Sequence, residues 1–181
     1  MKNEDFGELT LMARIAFAIM CFERYALSIY PNINFKPAAE KMWHIVDGSD
    51  YVDEASYKMY EMLPEKLYAA DNYDDEPFNY MTREEYSTLI RIMNKNDRNL
   101  SVLIDAVFDV AMSYSYTEVE PYAPDAFPYL QTITDVLRSH HIDLPDLNLL
   151  SEYTAANPRS GRKGDKWMGD YIDGKALSIF L

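Results

Sequence analysis

The chain is poor in cysteine, in basic charge, in long apolar runs and, over most of its length, in glycine. A single cysteine, Cys21, excludes an intramolecular disulfide and suits a reducing compartment, so a cytoplasmic protein is expected. The longest run without a charge, residues 25–35, has 11 residues and contains Pro31, where a membrane-spanning helix needs about 20. The first residues carry Glu4, Asp5 and Glu8 against Lys2, the wrong sign for a signal peptide. Lys plus Arg is 17 against 30 Asp plus Glu, a formal charge of −13, which disfavours nucleic acid and anionic membranes as partners because both need positive surface. No segment sustains the two-residue alternation of a half-buried strand, so no sheet is expected. There is no Gly-x-Ser-x-Gly elbow and no His-Glu-x-x-His. Of the three histidines, His140 and His141 are adjacent and suit a helix C-terminus, and His44 has no second ligand nearby in sequence.

What is present describes an ordered body. A chain of 181 residues with 48% apolar side chains can bury one core without staples. The expected fold is all-α, a single-domain bundle of six or seven helices. Met12, Ile15, Ile19, Phe22, Ala26 and Ile29 follow helical spacing over residues 8–30, and the apolar residues between them make this first helix apolar nearly all round, hence central. Pro31 and Asn32 stop it. A second helix is expected over residues 35–46, and a third over 52–69 with a kink or break at Pro64. A loop should follow over 71–80. Thr82 and Glu85 have the spacing of a capping box opening a fourth helix that ends near Asn94. A fifth should span 99–116, and a sixth 127–140 after a proline-rich loop over 118–128. A short seventh should follow Pro145.

Charge and glycine both shift near residue 157. Residues 1–156 carry 12 basic and 27 acidic side chains, whereas residues 157–181 carry five basic and three acidic ones together with four of the six glycines. This divides the chain into an acidic helical bundle, 1–156, and a basic, glycine-rich C-terminal extension, 157–181. The extension is expected either to dock on the bundle, for which Trp167, Tyr171 and residues 176–181 give it the means, or to be partly flexible. The basic run 160–166 lacks the spacing of a phosphate loop and reads as a basic tail.

Two groups of polar residues are candidates for function. Arg14, Glu23 and Arg24 are the only charges in the first helix after Leu9, and Asp105 and Asp109 the only ones between Asn99 and Thr117. An ionised group in a core needs a partner, so an internal polar seam in which arginine of the first helix meets aspartate of the fifth is expected. The alternatives are a metal or acid/base site using Asp105, Asp109 and Glu23, which lacks the Glu-x-x-His pairs of a dimetal bundle, and a solvated or partner-facing stripe. Cys21, deep in the most apolar helix, reads as a packing residue. The second group joins acids to some of the 15 tyrosines. Asp71, Asp74, Asp75 and Glu76 surround Tyr73 and precede Tyr80, and Glu118, Glu120 and Asp125 surround Tyr122. The first run lacks the central glycine of a calcium loop. Tyrosine is enriched in protein interfaces, and carboxylates around it steer a cationic partner, so these ten residues are the candidate partner-binding surface. No cofactor is expected.

Leu11-Met12-Ala13-Arg14-Ile15-Ala16-Phe17-Ala18, then Cys21-Phe22-Glu23-Arg24-Tyr25 and Tyr30-Pro31, resembles the opening of an uncharacterised all-helical bacterial family and of small helical immunity proteins of contact-dependent and polymorphic toxin systems. The likeness spans the first helix and, loosely, residues 103–114. It carries over no catalytic residue. It implies a bacterial cytoplasmic protein that binds and neutralises a cognate toxin. Many such toxins are basic nucleases, which would suit this charge. The remaining alternatives are a helical enzyme with a carboxylate or metal site and a helical regulator or scaffold.

Overall fold

The structure, a computed structural model, describes residues 6–50, 52–75, 77–93, 97–113, 124–154 and 167–181. Among them are eight α-helices and no strand, a single all-α fold: α1 (Leu11–Ile29), α2 (Lys36–Asp47), α3 (Val52–Tyr60), α4 (Pro64–Ala69), α5 (Arg83–Met93), α6 (Arg98–Met112), α7 (Phe127–Ser139) and α8 (Gly174–Leu177). No helix of the described residues is long and apolar enough to cross a membrane.

α1 is the axis of the bundle, packed against α2, α6 and α7. Every residue from position 11 to position 23 is buried, as an all-round apolar helix requires. Its last turn emerges into solvent, so that Leu27 and Ile29 are exposed although Ile29 continues the apolar spacing. Cys21 is fully buried, and burial pushes its thiol well above the ordinary range, which fits a packing role.

Local chemistry sets the helix ends. Pro37 lies in the first turn of α2, where a missing N–H costs nothing, and Gly48 stops α2 at φ +74°. Pro64 does break the third expected helix into α3 and α4. Both halves of the capping box form: Glu85 N–H donates to the Thr82 hydroxyl at 3.3 Å, and Thr82 N–H donates to the Glu85 carboxylate at 2.6 Å. The end of the expected proline-rich loop is ordered as a turn, and the next helix starts where expected. Residues 124–126 form a 3₁₀ turn and α7 has begun by Phe127, because Pro128 sits in a first turn that tolerates proline. The short seventh helix is a 3₁₀ turn, Leu147–Leu150.

The described part of the extension, residues 167–181, is built into the bundle. The carbonyls of Trp167 and Met168 accept from the amides of Leu11 and Met12 at 2.7 and 3.0 Å, and Tyr153 C=O accepts from Thr10 N–H at 3.0 Å. These amides head α1 and have no partner within the helix, so a distant segment supplies what a local cap normally does. Gly169, at φ +85°, lies so close to Thr10 that an added Cβ would stand 2.3 Å from its Oγ1. Ile172 is fully buried, and its N–H donates to Val46 C=O at 2.7 Å. The basic run 160–166 lies outside the described residues.

Candidate interaction surface

The expected internal seam does not form. Arg14 is buried, but its guanidinium lies over the Phe127 ring of α7, 4.7 Å from the centroid. Burial lowers it to about 10, which leaves it protonated at neutral pH. Arg24 donates to Asp143 C=O at 3.2 Å. Glu23 accepts from the Trp43 indole N–H at 2.8 Å, the Ile179 amide at 3.0 Å and the Ser178 hydroxyl, so it binds α2 and the C-terminal segment to α1. Burial pushes this carboxyl above its ordinary value against the pull of those three donors.

Asp105 and Asp109 lie on the other side of α6 from its buried face. Leu100, Leu103, Ile104, Val107, Val110 and Ala111 turn inward, which leaves Asp105 exposed and Asp109 half-buried. Neither makes an ion pair among the described residues. Partial desolvation, then Asp109 and Glu65, raise Asp105 to about 6, and desolvation raises Asp109. Glu23 is thus committed to the interior while the two aspartates face outward. No group of three or more histidine, cysteine, aspartate and glutamate residues among the described residues is arranged to hold a metal ion.

The residues of the 71–80 loop divide into scaffold and display. Tyr73, expected at the interface, is a scaffold residue. Its hydroxyl donates to Met81 C=O at 2.7 Å, its ring stacks on Phe78 with centroids 5.4 Å apart, and Arg83 covers its face. Asp71, Asp74 and Asp75 are exposed. Asp74 pairs with Arg83, and the Asp75 carboxylate accepts from the Asn72 amide at 3.0 Å, closing the turn on itself. Tyr80 is half-buried with Lys58 over its ring. Asp125 is exposed and lines a shallow depression with Asp109, Pro124 and Tyr129. Glu76, Glu118, Glu120 and Tyr122 lie outside the described residues.

Two features escaped the sequence reading. The first is Glu61, in the break between α3 and α4. It is buried and accepts from three successive amides, Asn79, Tyr80 and Met81, at 2.6, 2.8 and 2.7 Å. It ties down the C-terminal end of the acidic loop. The second is the pair of exposed tyrosines on α3, Tyr57 and Tyr60, which join Tyr68 of α4 beside the acidic run. Tyr57, Tyr60 and Tyr68 are 62%, 40% and 52% exposed. Tyr57, Tyr60, Pro77 and Tyr80 line one shallow cleft of about 340 Å³. Exposed Asp53, Glu65, Asp71, Asp74 and Asp75 belong to the same segment of chain. The signal was available, since these tyrosines fall off the apolar spacing of α3 and α4.

His44 has a partner after all. Its Nδ1 is 2.9 Å from Asp50, which also accepts from Lys58 at 2.7 Å, across the turn that Gly48 allows. Burial pulls Asp50 upward, but Lys58 and His44 outweigh it and hold the carboxyl below its ordinary value. His140 Nε2 meets Asn99 Nδ2 at 2.7 Å and its ring lies edge-on to Tyr25. Tyr25 and Tyr30 both donate to Asp97, which caps α6. No family model matches the chain, and no curated protein or solved structure matches it.

Proposed function

We propose that this is a non-enzymatic binding protein of the immunity kind, which neutralises a cationic bacterial toxin domain in the cytoplasm by covering it. The observation that carries this reading is the pairing of exposed tyrosine with unneutralised acid on one stretch of chain. Tyr57, Tyr60 and Tyr68 present large rigid rings to solvent, and Asp53, Glu65, Asp71 and Asp75 accompany them. Rings of this kind supply contact area at small entropic cost and dominate binding energy at protein interfaces. The acids speed encounter with a basic partner and fix its orientation. Asp105 and Asp109, displayed on the outer side of α6, extend the same field.

The test is binding to a purified basic toxin domain encoded beside the gene. Tight association is expected, weakening as ionic strength rises beyond about 0.15 M, where the Debye length has fallen to about 8 Å. Absence of binding at low ionic strength rejects the pairing. Association that ignores salt rejects the electrostatic part of the mechanism.

A further inference from the structure

The α2 and α5 helices leave between them a groove of about 470 Å³ that shares no lining residue with the tyrosine cleft. Its volume falls in the range that holds small molecules. Phe35, Met62, Met81 and Leu89, each almost wholly buried, line it together with Ala38. One end is closed by the ion pair of Lys41 with Glu85, both of which are largely shielded from solvent. Glu85 is spent there: it also takes the Thr82 amide, and although burial pulls it upward, Lys41 and Thr82 hold it below its ordinary value.

The other end is different in chemistry. Arg91, two turns along α5 from Glu84 and therefore about 10 Å away at 1.5 Å per residue, lines the groove with Asn32, Asn34 and Thr88. The side chains of Arg91, Asn32 and Thr88 make no hydrogen bond or ion pair among the described residues. Asn34 uses its carbonyl oxygen on Lys36 N–H, which leaves its NH₂ group to donate. The groove thus combines an apolar wall with an end rich in donors and holding one uncommitted cation, while the exposed carboxylate of Glu84 stands about two turns of α5 away from that end.

We propose that this groove binds a small apolar acid, a medium-chain aliphatic or aromatic carboxylate, with its body over Phe35, Met62, Met81 and Leu89 and its carboxylate on Arg91. A planar guanidinium binds a carboxylate through two parallel N–H donors, which an alcohol cannot match. This goes beyond the toxin-binding reading and does not depend on it.

The probes are decanoate and 4-phenylbutyrate, with decanol as the neutral control, titrated by calorimetry and by NMR of the methionine methyl groups. Saturable one-to-one binding of an acid is expected, with shifts at Met62 and Met81. Arg91→Glu should weaken it roughly tenfold or more, the loss of a charged hydrogen-bonded pair. Thr88→Trp, at a half-exposed wall position, should block binding while leaving the thermal transition in place. The proposal is overturned if neither acid saturates, if decanol binds as tightly as decanoate, or if both substitutions leave affinity unchanged. Shifts at Met12, at the opposite end of α1 from Asn32, in place of Met62 and Met81 overturn it equally.

Discussion

The carboxylates inside this protein and those on the outer side of α6 live under opposite rules. Glu23 and Glu61 are buried, and each accepts from three donors. Asp105, raised by partial desolvation and then by Asp109 and Glu65, has no ion-pair partner among the described residues. Each buried carboxylate is held by several donors, because an unsatisfied buried carboxylate costs several kcal/mol. The surface tolerates like charges that repel one another, since water screens most of the penalty. A repulsive arrangement gains nothing for folding, and it fits a face kept for a cationic partner.

The largest effect should come from the inside. Glu23→Ala strands the Trp43, Ser178 and Ile179 donors and should lower the free energy of unfolding by about 3–5 kcal/mol, measured by urea denaturation. Glu23→Gln should recover only part of this, because one amide oxygen replaces two carboxylate oxygens. A loss no greater than that of Asp105→Ala would erase the contrast between the regions. Next in size is Gly169→Ala. It combines a positive φ with a Cβ set against Thr10, and should cost about 2 kcal/mol or more by the same measurement.

The outer acids should respond with the opposite sign. A carboxyl raised in the folded state binds more protons there than in the unfolded chain between the two values, so stability falls as pH rises from about 4 to about 6. Asp105→Asn should therefore raise the melting temperature at pH 7 by about 2 °C, a gain that vanishes near pH 4, as calorimetry across pH would reveal. Asp50 and Glu85, held low, act the other way: their contribution is present above the ordinary carboxylate value and is lost as pH falls through their lowered ones. The smallest effect on folding belongs to Tyr57→Ala and Tyr60→Ala, within about 0.5 kcal/mol of the parent. Under the proposed function, the same substitutions should each weaken binding of the basic partner by about 2 kcal/mol in a titration, which separates display from support.

Local signals in the sequence were enough for most of the helices. Pro31, Pro37 and Pro64, Gly48, and the Thr82–Glu85 pair act within a turn of where they stand, and the helix ends fall beside them. The position of Asp105 and Asp109 was also readable, because they are out of phase with Leu103, Val107 and Val110. The need to partner Arg14 and Glu23 suggested a seam instead. That need was real, but its solutions were remote: Phe127 for Arg14, and for Glu23 a serine 155 residues further on. Spacing carries no information about contacts of that range. Tyr73 shows the converse limit, since a tyrosine among acids in a loop is equally suited to bracing the loop from beneath.

The order in which the chain is made gives the α1 cap a consequence for biosynthesis. α1 is made before residues 167–181, yet the partners of the Leu11 and Met12 amides and two of the three donors to Glu23 come from that segment. Until then this apolar helix has an open N-terminal end, and Glu23 has only the Trp43 indole to answer it. The bundle closes around α1 only once residues 167–181 have been added.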